Sequence, residues 1–374
     1  MQRITFLLIL QVVFIGCVSH PGNQTLRPSS NHYARSFEMD KQGDVTRLTV
    51  FNPWEKARGV SIEYYLINEN KTIPDSLLAK KVIRTPVKRM VCMSTSHLGF
   101  IDILGENESV VGVSGSLYVT NPEIRQRLED GRAVDVGYGQ NLNYELIVNQ
   151  QPDVVMVYGV GSEVAEYSKK IEELGIPVIM NAEYLEETPL GKAEWIKFMG
   201  AFYEKEDEAE SFFAEVEKNY LALKKLVEKK EPKPTILVGS PYNDSWWVPG
   251  GNSYMANLIG DAGGDYLGKL NSSHESYVIS FENALTWGNS ADIWINMANL
   301  ASKKEILAAD VRFKSFRVFN EGRIFNNNKR LSIYGGNDFW ESGTARPDLV
   351  LRDLATVFYP GLIQEEMIYY QEIK

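Results

Sequence analysis

Cysteine is nearly absent from this chain: Cys17 and Cys92 are the two among 374 residues. Cys92 lies in the apolar run Arg89-Met-Val-Cys-Met93 with no base near it in sequence, and it reads as a small buried hydrophobe rather than a nucleophile. If Cys17 carries lipid, as argued below, no intrachain disulfide is possible and stability must come from the size of the core. Histidine is equally scarce, four in all, and forms no recognisable metal cluster. No tract of lysine and arginine stands out. Together with a formal charge of −10, this argues against a nucleic-acid backbone as partner. The Gly-x-Gly-x-x-Gly and phosphate-loop patterns are missing, which removes the common nucleotide sites, and so is the Gly-x-Ser-x-Gly elbow of serine hydrolases.

What is present begins with a targeting segment. Arg3 supplies a positive end, Ile4 to Ile15 are almost entirely apolar yet too short for a comfortable membrane span, and Gly16-Cys17 follow. A small residue directly before a cysteine resembles the processing signal of a bacterial lipoprotein, and cleavage there would leave Cys17 lipid-modified. The expected division is a signal peptide at 1–16 and a flexible Ser/Asn/Pro-rich tether at 17–36. The body would then be lipid-anchored in the cell envelope, facing the periplasm or the exterior.

One long helical signal organises the rest. Thr188-Pro189 is a cap with a first-turn proline, and Trp195, Met199 and Phe202 recur at helical spacing. After the charged run Glu204 to Glu208, which marks a join between two helices, the pattern resumes through Phe213, Val216, Tyr220 and Val227. A helix from about Lys205 to Lys229 would be roughly 37 Å long. Pro232 and Pro234 then stop it.

On either side the chain alternates strands and helices, which places it in the α/β class. Lys88 to Met93 is a strand, Ser94 or Ser96 caps a helix carrying Leu98, Ile101 and Leu104, and Val110 to Val113 is the next strand. A short helix at Asn143 to Val148 precedes the buried strand Asp153 to Tyr158. In the second half, Glu282 to Trp287 precedes Ala291-Asp-Ile-Trp-Ile-Asn296 in the same way, an echo that suggests two related lobes. The expected organisation is a first lobe at 37–187, a helical segment at 188–230 acting as a stiff strut, and a second lobe at 231–374. Each lobe is expected to have its own core. A hairpin of Arg47 to Trp54 and Ser61 to Ile67 is added before the first lobe.

Several stretches, taken in order, carry a resemblance. They are Arg89-Met-Val-Cys-Met with Leu104-Gly105, Val110-Val-Gly-Val113, Asn141-Leu-Asn-Tyr-Glu-Leu-Ile with Gln151-Pro-Asp-Val-Val, Leu258 to Gly264, and Arg346-Pro-Asp-Leu-Val with Phe358-Tyr-Pro360. From about Lys88 to Pro360 the chain resembles the substrate-binding proteins of bacterial ABC importers for iron-siderophores, haem and cobalamin. That resemblance implies two Rossmann-like lobes with central parallel sheets, bridged by one helix, with ligand in the cleft between them and a modest closing motion. It also implies a monomer that docks on an ABC permease with its ATPase. Glu145 and Glu282, each at the head of a short helix before a sheet strand, fall where the family engages permease arginines.

The family's cleft-lining loops fall on Ser94 to His97, with Ser96 and His97 as candidate contacts, and on Tyr118, Tyr138, Trp246, Trp247, Phe339 and Trp340. Flat aromatic walls suit a macrocycle or large chelate, since they offer broad contact at little entropic cost. Arg330 is placed to meet an anionic chelate or to be a solvated loop charge, and His97 to ligate a metal or to bond a backbone group. The expected cargo is a ferric siderophore or similar bulky chelate, with a corrinoid such as cobalamin as the alternative and haem behind both. No resident cofactor or metal centre is expected. An enzyme in the cleft would need an acid, base or metal there, and a receptor for bare metal ions several His and carboxylate ligands.

Overall fold

The computed structural model describes residues 31–159, 163–242 and 245–374. The signal peptide expected at 1–16, the lipidation site Cys17 and most of the tether lie outside the described residues. The last part of the expected tether is not a loose spacer. The backbone N–H groups of His32, Tyr33 and Ala34 donate to the Glu194 carboxylate at 3.0, 2.8 and 2.8 Å, and those of Arg35 and Ser36 to Glu186 at 3.0 and 2.9 Å. Both carboxylates are buried, so they need these donors, and the donors fix the strap.

The chain then forms a four-stranded sheet where a hairpin was expected. β1 (Phe37–Gln42), β2 (Val45–Phe51) and β3 (Ser61–Asn68) run antiparallel, and β4 (Val82–Thr85) joins β3 in parallel. In β1 only Phe37 and Met39 alternate with Glu38 and Asp40 before Lys41 and Gln42 end the pattern, a run too short to announce the strand.

The first lobe follows as β5 (Met90–Cys92), α1 (Thr95–Ile103), β6 (Val110–Val113), α2 (Pro122–Glu129), β7 (Val134–Asp135), α3 (Tyr144–Asn149), β8 (Val154–Val157), α4 (Glu163–Glu173) and β9 (Val178–Met180). Its strands are all parallel, in the order β7-β6-β5-β8-β9. Ser94, Asn121 and Asn143 cap their helices with side-chain oxygens, as their residue types dictate. The Tyr64 hydroxyl accepts the Met180 N–H at 2.9 Å, so the added sheet covers the edge of β9.

Thr188 caps α5 (Pro189–Ala193), and α6 (Trp195–Tyr203) ends at Glu204 in the left-handed region, φ 57°. The helix expected from Lys205 to Lys229 is α7 (Glu206–Val227), 22 residues and about 33 Å long. It reaches the second lobe, where the Tyr220 hydroxyl meets Asp261 at 2.8 Å.

The second lobe comprises β10 (Thr235–Val238), β11 (Pro241–Tyr242), β12 (Ser245–Val248), α8 (Tyr254–Asp261), β13 (Asp265–Tyr266), β14 (Tyr277–Ile279), α9 (Phe281–Ser290), β15 (Ile293–Ile295), α10 (Lys303–Ala309), α11 (Arg317–Asn320), β16 (Arg323–Asn326), α12 (Ser342–Ala345), α13 (Pro347–Phe358) and β17 (Gln371–Glu372). Its main sheet runs β13-β10-β15-β16-β17, parallel except for β17, with β11-β12-β14 as an antiparallel side sheet.

The echo between the halves holds at the level of single bonds. Asp153, before β8, accepts the N–H groups of Lys88 and Arg89 at 2.8 and 2.9 Å, while its own N–H donates to the Arg89 carbonyl at 2.8 Å. Asp292, before β15, accepts the Thr235 N–H at 2.9 Å and donates to the Thr235 carbonyl at 2.9 Å. Each aspartate ties its strand to the neighbouring first strand of its lobe.

Separate cores, however, are not what forms. One face of each sheet has its own cluster, with Val91 and Val155 in the first lobe and Trp246 and Trp294 in the second. The other faces share a single continuous cluster in which Met90 and Met156 join Ile236 and Ile293 through α1, α6, α7, α8 and α13. The connection after β16 is a second crossing. Glu341 accepts the N–H groups of Thr120 and Asn121 at 2.8 and 2.7 Å, and Asp338 accepts the Thr120 hydroxyl at 3.1 Å. Gly99 and Gly336 sit where this crossing presses on the first lobe, and a Cβ at either would run into a backbone carbonyl of the facing segment.

Candidate ligand-binding site

Strands β5, β7 and β8 end on the same side of the first sheet, and the residues just beyond them line a cavity of about 630 Å³. Met93, Leu142 and Val164 make an apolar floor. Four tyrosines, Tyr138, Tyr144, Tyr158 and Tyr167, form the walls, and Gln140, Glu166, Lys169, Lys170 and Glu173 stand around them. Loops at the carboxyl ends of parallel strands are where open α/β sheets place ligands.

Local chemistry explains how the walls are held. Tyr138 sits between Gly137 and Gly139, both at positive φ, and a Cβ on Gly137 would strike the Asn141 carbonyl, so only glycine allows this tight loop. The Tyr158 ring meets Tyr184 edge-on at 6.0 Å, and the Tyr167 hydroxyl donates to the Tyr158 carbonyl at 2.8 Å. Burial, aided by a hydrogen bond with Tyr138, holds the Tyr158 phenol well above its ordinary pKa. Tyr144 is raised as well, by burial and then by Glu166. Tyr144 and Tyr158 are therefore neutral phenols at physiological pH, able to stack and to hydrogen-bond. The Lys170 ammonium lies 3.9 Å from the centroid of the Tyr144 ring.

Of the residues expected to contact ligand, Tyr138 alone lines this cavity. Ser96 is buried and donates to Glu183 at 2.6 Å. His97 is fully buried in the first turn-and-a-half of α1, with no hydrogen-bond partner on either ring nitrogen among the described residues, and burial lowers its pKa to about 3. It is a neutral core histidine, which corrects its expected place at a ligand. Trp246 is likewise a core residue: it stacks on Trp294 and Phe316 at 5.8 and 5.9 Å and donates its Nε1–H to Val238. Phe339 is buried among Trp340, Tyr369 and Tyr370. Tyr118, Trp247 and Trp340 are half-exposed or more but border other surfaces, and Arg330 pairs at 3.1 Å with the buried Asp338.

Tyr144, Tyr158, Tyr167 and Lys170 were not foreseen. Tyr158 closes an unbroken apolar strand, and Tyr167 and Lys170 are three apart on one helix. Those two signals could have identified them. Among the described residues, no group of three or more His, Cys, Asp and Glu side chains is placed to hold a metal ion.

Glu145 and Glu282 occupy matching positions. Each is exposed, second in its helix, behind a capped start: Asn143 accepts the Leu146 N–H, and Ser280 the Asn283 N–H. Each helix runs directly into the sheet strand that its aspartate ties down. The Glu282 carboxyl is held below its usual range chiefly by a backbone hydrogen bond at the helix start.

Comparison with known proteins places these features in context. A family model described as periplasmic binding protein matches residues 90–326. Two proteins of Methanocaldococcus jannaschii, each named an uncharacterized lipoprotein, are similar over most of their length. One is 31% identical over 348 residues, covering 88% of this chain and 81% of the relative. The other is 26% identical over 403 residues, covering all of both. Among solved structures, a periplasmic heme binding protein from Pseudomonas aeruginosa superposes with a TM-score of 0.59 at 18% identity, over 77% of this chain and 98% of that one. A protein described as an ABC-type Fe3+-hydroxamate transport system, from Saccharomonospora viridis, gives 0.53 at 17% identity, over 74% and 94%. At these identities the likeness is one of fold.

Proposed function

The chain belongs to the periplasmic binding protein family, and from that premise we propose that it is the solute-binding component of an ABC importer. In this reading it captures a bulky solute and hands it unchanged to a membrane permease driven by its ATPase. The observation that carries the reading is the tyrosine-walled cavity at the strand ends of the first lobe. At about 630 Å³ it is in the size range of sites for drug-sized organic molecules, and its apolar floor and phenolic walls match a large, partly flat solute.

The cargo we propose is an iron-siderophore or a comparable bulky ferric chelate. Lys169 and Lys170 stand at the rim beside Glu166 and Glu173, with Lys169 paired to Glu173 at 3.7 Å, so the rim offers both signs of charge to a polar chelate, and the phenols supply hydrogen bonds and ring faces. The names of the structural relatives, one for heme and one for Fe3+-hydroxamate, support that class of solute. A corrinoid is the second reading, favoured by the aromatic walls. We further place the protein in the cell envelope, anchored through lipid on Cys17, a reading supported by the names of its lipoprotein relatives. The body is a monomer that docks on the permease through Glu145 and Glu282, one from each lobe. Exposed carboxylates, one on each lobe, can fix orientation and speed encounter.

The experiment is a titration of purified protein with ferric desferrioxamine, cyanocobalamin and hemin, followed by intrinsic fluorescence and visible absorbance. The expected result is binding of one probe with Kd near or below about 1 μM. Binding of none of the three below about 100 μM would reject this class of cargo.

A further inference from the structure

The two docking helices start alike and are supported differently. In α9 the first residue is Phe281. The Arg312 guanidinium lies 3.9 Å from the centroid of its ring, and the ring meets Phe316 at 5.8 Å. Phe316 in turn packs against both Trp246 and Trp294, and Gly288 of α9 lies so close to it that a Cβ would collide. The helix that carries Glu282 therefore rests on a filled aromatic core.

In α3 the first residue is Tyr144, with the Lys170 ammonium at the same 3.9 Å from its ring. Here the backing is divided: Ile147 is buried in the first lobe's apolar cluster, and the residues at the helix start face the cavity. Leu142 and Tyr144 both line it, and they flank Asn143, the residue whose side chain caps the helix through the Leu146 N–H at 3.0 Å. A six-residue helix holds little stability of its own, so its first turn takes its order from what its side chains pack against.

Building on the receptor reading above, we infer that filling the cavity orders the first turn of α3, so that Glu145 signals a loaded protein to the permease while Glu282 is a constant contact. A solute against Leu142 and Tyr144 supplies the packing that Phe316 supplies to Phe281. The permease meets one fixed post and one that firms only when cargo is present. That difference in order gives it a basis for telling loaded from empty protein.

Hydrogen exchange of the full chain tests this at matched amides. Leu146 and Ile147 start α3, and Asn283 and Ala284 start α9. In the empty protein the α3 pair is expected to exchange about ten-fold faster than the α9 pair. Hemin or ferric desferrioxamine should slow the α3 pair at least about five-fold and leave the α9 pair within about two-fold. Val164→Phe and Tyr167→Trp, which add ring volume to the cavity, should do the same with no ligand at all. Equal exchange of the two pairs in the empty protein overturns the inference, as does slowing of both pairs or of neither in the cavity-filling variants. Permease affinity separates this failure from failure of the docking reading. Glu145→Lys should weaken docking of loaded protein only, and Glu282→Lys docking of loaded and empty alike. Equal losses for both variants in both states overturn the inference. No loss with either removes docking through these glutamates while leaving the exchange asymmetry in place.

Discussion

The two lobes share a plan and differ in where their aromatic rings go. In both, a capped short helix with an exposed glutamate leads into a strand whose aspartate grips the next strand's start. In the second lobe Trp246, Trp294, Phe313 and Phe316 pack on one another in the core. In the first lobe Tyr138, Tyr144, Tyr158 and Tyr167 surround an open cavity. The chemistry of the rings follows the difference. The buried indoles satisfy their single N–H within the lobe, Trp246 at the Val238 carbonyl and Trp294 at the Gly239 carbonyl, whereas a phenol hydroxyl both donates and accepts, so tyrosine suits a wall that meets solvent or solute. The same scaffold therefore supplies a rigid body on one side and a receptive one on the other.

The contrast breaks most visibly under truncation. Trp294→Ala should destabilise the protein by about 3–5 kcal/mol, whereas Tyr138→Ala, at a half-exposed ring, should cost about 1 kcal/mol or less. Denaturant midpoints measure both, and similar losses would remove the distinction between core ring and wall ring.

Acid sharpens it next, because the first lobe contains a buried imidazole. His97 has a folded-state pKa of about 3 against an ordinary value of 6.5, so the unfolded chain takes up a proton first as pH falls. Its neutral form is accommodated at full stability above about pH 6.5. Stability is then lost progressively toward about pH 3, by roughly 3 kcal/mol at about pH 4.5. His97→Leu should abolish that component, read as the difference in stability between variant and parent across this range. An unchanged pH profile would mean the ring is not neutral and enclosed.

The smallest effect concerns what the lobes have in common. Asp153→Asn and Asp292→Asn should each cost about 1 kcal/mol, and by similar amounts, since each removes a carboxylate acceptor from backbone amides at a strand start. Thermal midpoints that fell for one variant alone would show that the two ties are not equivalent.

Much of the scaffold was legible. Caps at Ser94 and Thr188 are local chemistry, and so is the break at Glu204, because these depend on a few adjacent residues. The echo around Asp153 and Asp292 was visible for the same reason. The side on which a strand residue points was not. Trp246 and Trp247 are adjacent and alternate, and only the pairing of β12 with β14 decides which of them is buried. The shared core and the Glu341 crossing depend on contacts more than 200 residues apart, which no periodicity reports. The cavity joins Tyr138, Tyr158 and Tyr167 from separate segments, so its members looked like ordinary strand-end and helix residues until the sheet order set them side by side.

The central claim is that cargo binds against the phenols of the first lobe rather than the exposed indole of the second. The most direct test compares Tyr158→Ala and Trp247→Ala in one titration, using whichever of ferric desferrioxamine, cyanocobalamin or hemin the parent protein binds. The expected result is affinity about ten-fold weaker for Tyr158→Ala and within about two-fold of the parent for Trp247→Ala. The reverse order would contradict it.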